Sequence, residues 1–164
     1  MALTAMWIHG NSVIVERPES FSSISRFGFG TDMFIKPGEK AWIHAAIPTP
    51  TILRGKRPRL LRVIILWSNG SSAELPSINA SFFGDLHLFD GKKRIHTVSP
   101  QVPLAGIHLT QDQTNTFVLP PPGLLISFAL GISMQWGHGS PLHGDAPAQQ
   151  VFIAALGADF EIAD

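Results

Sequence analysis

Cysteine is absent from the 164 residues, which excludes disulfide frameworks, thiolate metal sites and thiol nucleophiles and leaves the redox compartment open. Charge is scarce too. Asp, Glu, Lys and Arg make up 15% of the chain, against about 25% in a typical globular domain. No lysine or arginine follows Arg94, so residues 1–94 carry roughly +5 and residues 95–164 roughly −5 with the histidines uncharged. The late acids are Asp112, Asp145, Asp159, Glu161 and Asp164.

A long apolar run is also missing. The charge-free stretch between Gln113 and Gly144 is broken by Pro120, Pro121, Pro122 and Gly123. Its remainder, Leu124 to Trp136, is shorter than the ~20 residues a helix needs to cross a bilayer. Met1 to Gly10 has neither the basic region nor the apolar core of a secretory signal, so a cytoplasmic location is expected.

What is present is alternation. From Leu124 to Trp136 every even position is large and apolar (Leu124, Ile126, Phe128, Leu130, Ile132, Met134, Trp136), which matches a strand and not a 3.6-residue repeat. The length of this run predicts a bulge or bend at Gly131. Phe152, Leu156, Phe160 and Ile162 are expected on one face of a last strand, with Asp159 and Glu161 on the other. Leu60 to Trp67 is apolar in both phases apart from Arg62, which predicts a strand covered on both faces, central in its sheet or lying at an interface.

Gly10-Asn11, Asn69-Gly70 and Asp90-Gly91 carry the chemistry of tight hairpin turns. Leu119 to Gly123 is expected to cross stiffly from one sheet to the other. With 15 Gly and 13 Pro, no helix finds an uninterrupted amphipathic stretch, and helix content under about a tenth is expected. The fold class predicted is all-β, an antiparallel β-sandwich or jelly roll of about ten strands in one domain over residues 1–164, with a closed β-barrel as the alternative.

Candidate sites follow from clusters. Arg54, Lys56, Arg57, Arg59 and Arg62 form a basic run, with Lys92, Lys93 and Arg94 as a second patch. The run reads as a solvated loop, as a dock for an acidic surface of another subunit, or as an anion site. Nucleic acid is not expected as a partner, because neither interleaved aromatics nor a groove-entering helix accompanies it. His138, His143 and Asp145 are legitimate ligands for zinc or iron, but they sit in a Gly-rich loop. Gly38 and His44 have the spacing that begins a cupin motif, yet Ala46 stands where its second histidine belongs. No cofactor is implied. No Gly-x-Ser-x-Gly elbow or phosphate-cradling loop occurs. Trp7, Trp42, Trp67 and Trp136 lie in apolar strand segments and are expected as core or interface anchors, whereas exposed ones would point to sugar stacking.

The stretches Trp7–Ser12 (WIHGNS), Trp42–Pro50 (WIHAAIPTP) and Ala155–Phe160 (ALGADF) together resemble a family of small, uncharacterised bacterial β-rich proteins, across most of the chain. The resemblance implies a β-rich fold and brings no activity with it. The outline is also similar to oligomeric jelly rolls of the trimeric ligand type, which implies nothing about function.

Sparse charge, opposed halves and the doubly apolar strand lead to one functional expectation: a non-enzymatic, self-assembling structural or interaction module, a homo-oligomer. The alternatives are a module binding glycans or other small ligands, and a metal-dependent enzyme using the His138 and His143 loop.

Overall fold

In the computed structural model the described residues are 3–53, 55–69, 81–101, 104–138 and 147–162. The strands are β1 (Leu3–His9), β2 (Ile14–Val15), β3 (Phe21–Phe27), β4 (Gly30–Ile35), β5 (Lys40–Ile47), β6 (Arg59–Ser68), β7 (Ser81–Asp90), β8 (Lys93–Val98), β9 (Ile107–His108), β10 (Thr116–Val118), β11 (Leu124–Leu125), β12 (Leu130–His138) and β13 (Gln149–Glu161). Among the described residues the only helical pieces are two three-residue 3₁₀ turns.

The strands form two antiparallel sheets. The five-stranded sheet has the order β2-β5-β12-β7-β8. The eight-stranded sheet has the order β10-β6-β13-β4-β3, with β1 also on β13 and with β9 and β11 also on β6. One of the two sheets curls into half of a barrel, so the closed barrel weighed from the sequence fits in part.

Apolar side chains of both sheets meet in one cluster. Val63, Ile65, Trp67, Val151, Ile153, Leu156 and Phe160 come from the large sheet; Ile43, Phe83, Leu86, Leu88, Ile132, Met134 and Trp136 come from the small one. At its centre Trp67 meets Trp136 edge-on, with ring centroids 5.1 Å apart, and Phe83 stacks on Trp67 at 6.0 Å. Neither indole N–H has an acceptor among the described residues. The edge-to-face geometry offsets part of that cost by setting a positive ring edge on a negative ring face.

Several expectations are corrected. Gly10-Asn11 does not close a hairpin: Gly10–Ser12 is a 3₁₀ turn that carries the chain from β1 in the large sheet to β2 in the small one. Glycine is required there by close approach, since a Cβ on Gly10 would lie 2.0 Å from the Ile153 carbonyl oxygen. β6 and β7, which flank Asn69-Gly70, lie in different sheets, and Gly70 itself is outside the described residues. Asp90-Gly91 does turn a hairpin, with Gly91 at φ 59° and Asp90 opposite Lys93.

The run from Leu124 to Trp136 is two strands in two sheets. Both β10 and β11 pair with β6, so the crossing between sheets falls at residues 126–129, not in the proline segment. Ile126 is buried and Phe128 is 75% exposed, and the irregularity in β12 lies between Met134 and Trp136, away from Gly131. A register shift between Ile153 and Ala155 reverses the faces of β13 part-way along. Val151, Ile153, Leu156 and Phe160 are therefore all core, and Phe152 faces outward.

Candidate functional site

The reversal in β13 builds a groove on the outer face of the large sheet. Asp32, Phe152 and Ser68 are register neighbours across β4, β13 and β6. With Phe27, Phe29, Leu109 and Gln150 they line a groove of about 520 Å³. Phe27 and Phe29, at the β3–β4 turn, are stacked at 5.2 Å with planes 5° apart, and Phe29 meets Phe152 at 5.9 Å. Phe29 is 66% and Leu109 42% exposed, so these walls are apolar surface offered to solvent.

The N-terminal segment holds the turn in place. His9 Nδ1 accepts from the Asn11 N–H at 3.2 Å, which leaves Nε2 to donate to the Gly28 carbonyl at 3.1 Å. Asn11 Nδ2 donates to the Phe27 carbonyl at 2.6 Å, and the Thr31 hydroxyl reaches the Gly10 carbonyl at 3.1 Å. The WIHGNS stretch thus fastens β1 to the tip that carries two of the groove's three aromatic rings. Gly30 completes the arrangement. It has φ 150°, and a Cβ there would lie 2.7 Å from the Phe152 ring and 2.5 Å from the Ile153 carbonyl oxygen.

The polar content is small and fixed. Gln150 Nε2 donates to Asp32 Oδ1 at 2.8 Å, and Asp32 Oδ2 has no partner among the described residues. Arg26 is turned to the Val13 carbonyl at 3.4 Å and does not pair with Asp32. A half-buried carboxylate with one open oxygen beside three phenyl rings has acceptor capacity without a donor of its own.

Sequence reasoning missed this site. Phe27 and Phe29 belong to no apolar period, and the period that puts Phe152 on one face with Leu156 and Phe160 is broken by the register shift. The available signal was the segment Arg26-Phe-Gly-Phe-Gly30, two large apolar residues alternating with glycine where a turn has no core to enter.

The sequence candidates fall elsewhere. Arg57 Nη1 donates to the Ser127 hydroxyl at 3.3 Å, Arg59 Nη1 to the Gly123 carbonyl at 3.2 Å, and Arg62 Nε to Asp159 Oδ2 at 2.5 Å. Lys56 is exposed, and Arg54 lies outside the described residues. Trp67 and Trp136 are fully buried, Trp42 is half-buried with its ring 4.6 Å from that of His87, and Trp7 is 43% exposed. Trp7 is thus neither core nor fully free: its ring lies across Gly157, where a Cβ would come within 2.7 Å. His138 is buried with Nε2 3.2 Å from the Pro147 carbonyl, while His143 and Asp145 lie outside the described residues. Among the described residues no three His, Asp or Glu side chains are grouped to hold a metal ion.

One constellation invisible in the sequence resembles a catalytic relay. On the outer face of the small sheet, His44 Nδ1 lies 2.8 Å from the Ser133 hydroxyl, and His44 Nε2 lies 3.2 Å from Glu16 Oε2. Ser133 is 8% exposed in mid-strand, in register with His44 on one side and His87 on the other. Its neighbouring backbone N–H groups belong to sheet ladders, so none is free to stabilise an oxyanion. Burial, and then the charge of Arg94, lower the pKa of His87, against a smaller opposing effect of Asp85.

No protein-family model and no curated protein sequence matches the chain. A cyclase from Fischerella sp. TAU, solved in complex with 4-(1H-indol-3-yl)butan-2-one, is similar in structure at 13% identity and a TM-score of 0.46, over 97% of this chain and 90% of that one. At that level nothing of its activity, substrate or residues is carried over.

The expectation of a self-assembling structural module is corrected. Two of the features that suggested assembly, the doubly apolar strand and the opposed charges, find partners within one copy. β6 is buried on its outer face as well as its inner one, with Ile64 1% exposed between Gly157, which Trp7 covers, and Thr116. The opposed charges of the two halves meet inside the molecule where Arg62 pairs with Asp159. Among the described residues no helix is long and apolar enough to cross a membrane.

Proposed function

We propose that the chain is a binding module for a small, flat, apolar ligand that carries a hydrogen-bond donor or a positive charge, seated between Phe27, Phe29, Phe152 and Leu109. The observation that carries this reading is the open oxygen of Asp32 within an aromatic-walled groove of about 520 Å³. That volume lies within the roughly 300–1,000 Å³ common to small-molecule sites, which combine apolar walls with a few placed polar groups. An aromatic ring entering such a site gains about 0.5–1.5 kcal/mol per ring pair beyond its area burial. The ligand's donor meets the open Asp32 oxygen, and Gln150, by donating to Oδ1, fixes which oxygen that is.

A glycan fits less well. Its many hydroxyls would face hydrocarbon on most sides and find only Asp32, Gln150 and Ser68. The reading is tested by titrating 2-phenylethylamine into isotopically labelled protein and following the backbone amides by NMR. Shifts confined to residues 27–32, 109 and 150–152 are expected. Shifts scattered over the surface, or none at millimolar ligand, would remove the proposal.

A further inference from the structure

We propose that a second surface, distinct from the groove, docks the protein on an anionic lipid bilayer. It is formed by residues 124–129, the β7–β8 turn and, before β6, Ile52, Lys56 and Arg57. The groove lies at the Ser68 end of β6 and this surface at the Arg59 end, roughly 30 Å away at ~3.3 Å per residue, so the two are separate sites.

Three large apolar side chains stand in solvent here. Phe128 is 75% exposed, Ile52 67% and Leu125 47%. Phe128 is not loosely held. The Asp90 carboxylate accepts the N–H of Ser127 at 2.8 Å, of Phe128 at 2.8 Å and of Ala129 at 3.3 Å, and the preceding Ile126 is fully buried. This loop fixes a phenyl ring outside the core, where it contributes nothing to the packing of the sandwich.

Cations surround it. Arg57 donates to the hydroxyl of Ser127, the residue before Phe128. Gly91, at the tip of the β7–β8 turn, comes close enough to Phe128 that a Cβ there would lie 3.7 Å from the ring. Lys92 and Lys93 follow it, both exposed, and Lys56 is exposed beside Arg57. Among the described residues neither Arg57, Lys92 nor Lys93 makes an ion pair. The carboxylate at the centre, Asp90, is taken up by three backbone N–H groups. Protruding apolar side chains ringed by cations match the layering of a bilayer surface, with hydrocarbon below and phosphate at the level of the charges. A polynucleotide would use the charges and leave Phe128, Ile52 and Leu125 in water.

The experiment is co-sedimentation of the full chain with phosphatidylcholine vesicles, with and without phosphatidylserine, across a salt series. Binding to the phosphatidylserine vesicles alone is expected, falling as salt rises. Lys92→Glu with Lys93→Glu should weaken it by more than about twentyfold, since each basic residue contributes roughly fivefold near a charged surface. Phe128→Ala should weaken it several-fold while leaving the salt dependence unchanged. As a second readout, Phe128→Trp should be quenched by brominated acyl chains. Failure to bind phosphatidylserine vesicles at low salt would overturn the proposal. Binding that Phe128→Ala leaves intact and heparin competes away equally well would overturn it in favour of a soluble polyanion. The outcome is independent of ligand binding in the groove, because none of these residues lines it.

Discussion

Alanine at position 30 should damage the fold and the groove together, while alanine at position 28, two residues away in the same turn, should do neither. Gly30 has φ 150°, a conformation that side chains rarely adopt, and a Cβ there meets the Ile153 carbonyl oxygen at 2.5 Å and the Phe152 ring at 2.7 Å. Backbone strain of this kind costs about 1–3 kcal/mol. Forcing extra volume into a closed site costs a further ~1–3 kcal/mol. The total of roughly 2–6 kcal/mol corresponds to a fall in Tm of about 4–24 °C for a chain of this length. A Cβ on Gly28 would meet nothing within 4 Å, so Gly28→Ala should melt within about a degree or two of wild type, as exposed substitutions do. Calorimetry gives both values, and the ring resonances of Phe152 show whether the groove has moved. Equal melting temperatures for the two variants would refute the claim that Gly30 is fixed by the close approach of β13.

Three further outcomes follow from other parts of the structure. Burial acts to raise the Asp90 carboxyl, but the N–H groups of Ser127, Phe128 and Ala129 and the Ser127 hydroxyl outweigh it and hold its pKa below the ordinary carboxylate range. The stability this contributes is complete above the unfolded value near ~3.9 and is lost as pH falls through the lowered folded value. Asp90→Asn should therefore be less stable than wild type by about 1 kcal/mol at neutral pH, with the gap closing in acid; a gap constant with pH in urea unfolding would contradict this. Asp112 should behave in the same sense, because burial is outweighed there by His108 and the N–H groups of Thr114 and Asn115. For the Arg62–Asp159 pair, the Asp159 side chain is 8% exposed and that of Arg62 36%. Arg62→Leu strands a buried carboxylate and should cost ~2–3 kcal/mol, more than Asp159→Ala, whose remaining guanidinium reaches water; the reverse order in denaturant melts would refute that placement.

The fold was legible in the sequence where alternation was uninterrupted, and misread where a strand's faces or sheet changed within a periodic run. β6 is apolar in both phases and is central, as its composition implies. Leu124 to Trp136 keeps period two across a change of sheet, because residues 126–129 continue the alternation while the chain leaves the large sheet. β13 carries a register shift that no residue type announces, since Ala154 and Ala155 fit either face. The groove depends on that shift, which explains why Phe152 was misplaced and why Asp32, its neighbour across the sheet but far from it along the chain, drew no notice. The bond of Asp32 to Gln150 spans 118 residues, and no local pattern encodes it. Gly10-Asn11 shows a related ambiguity: its composition fits a hairpin turn, but the close approach of Ile153 is what requires the glycine.

The central claim is that Asp32 receives a donor from an apolar ligand held between phenyl rings. Calorimetric titration of 2-phenylethylamine and of 2-phenylethanol into wild-type protein and Asp32→Asn tests it most directly. Wild type should prefer the amine by about tenfold, the worth of one partly exposed charge-assisted hydrogen bond, and Asp32→Asn should bind the two ligands equally. An amine preference that survives Asp32→Asn, or no heat from either ligand with wild type, would contradict the account.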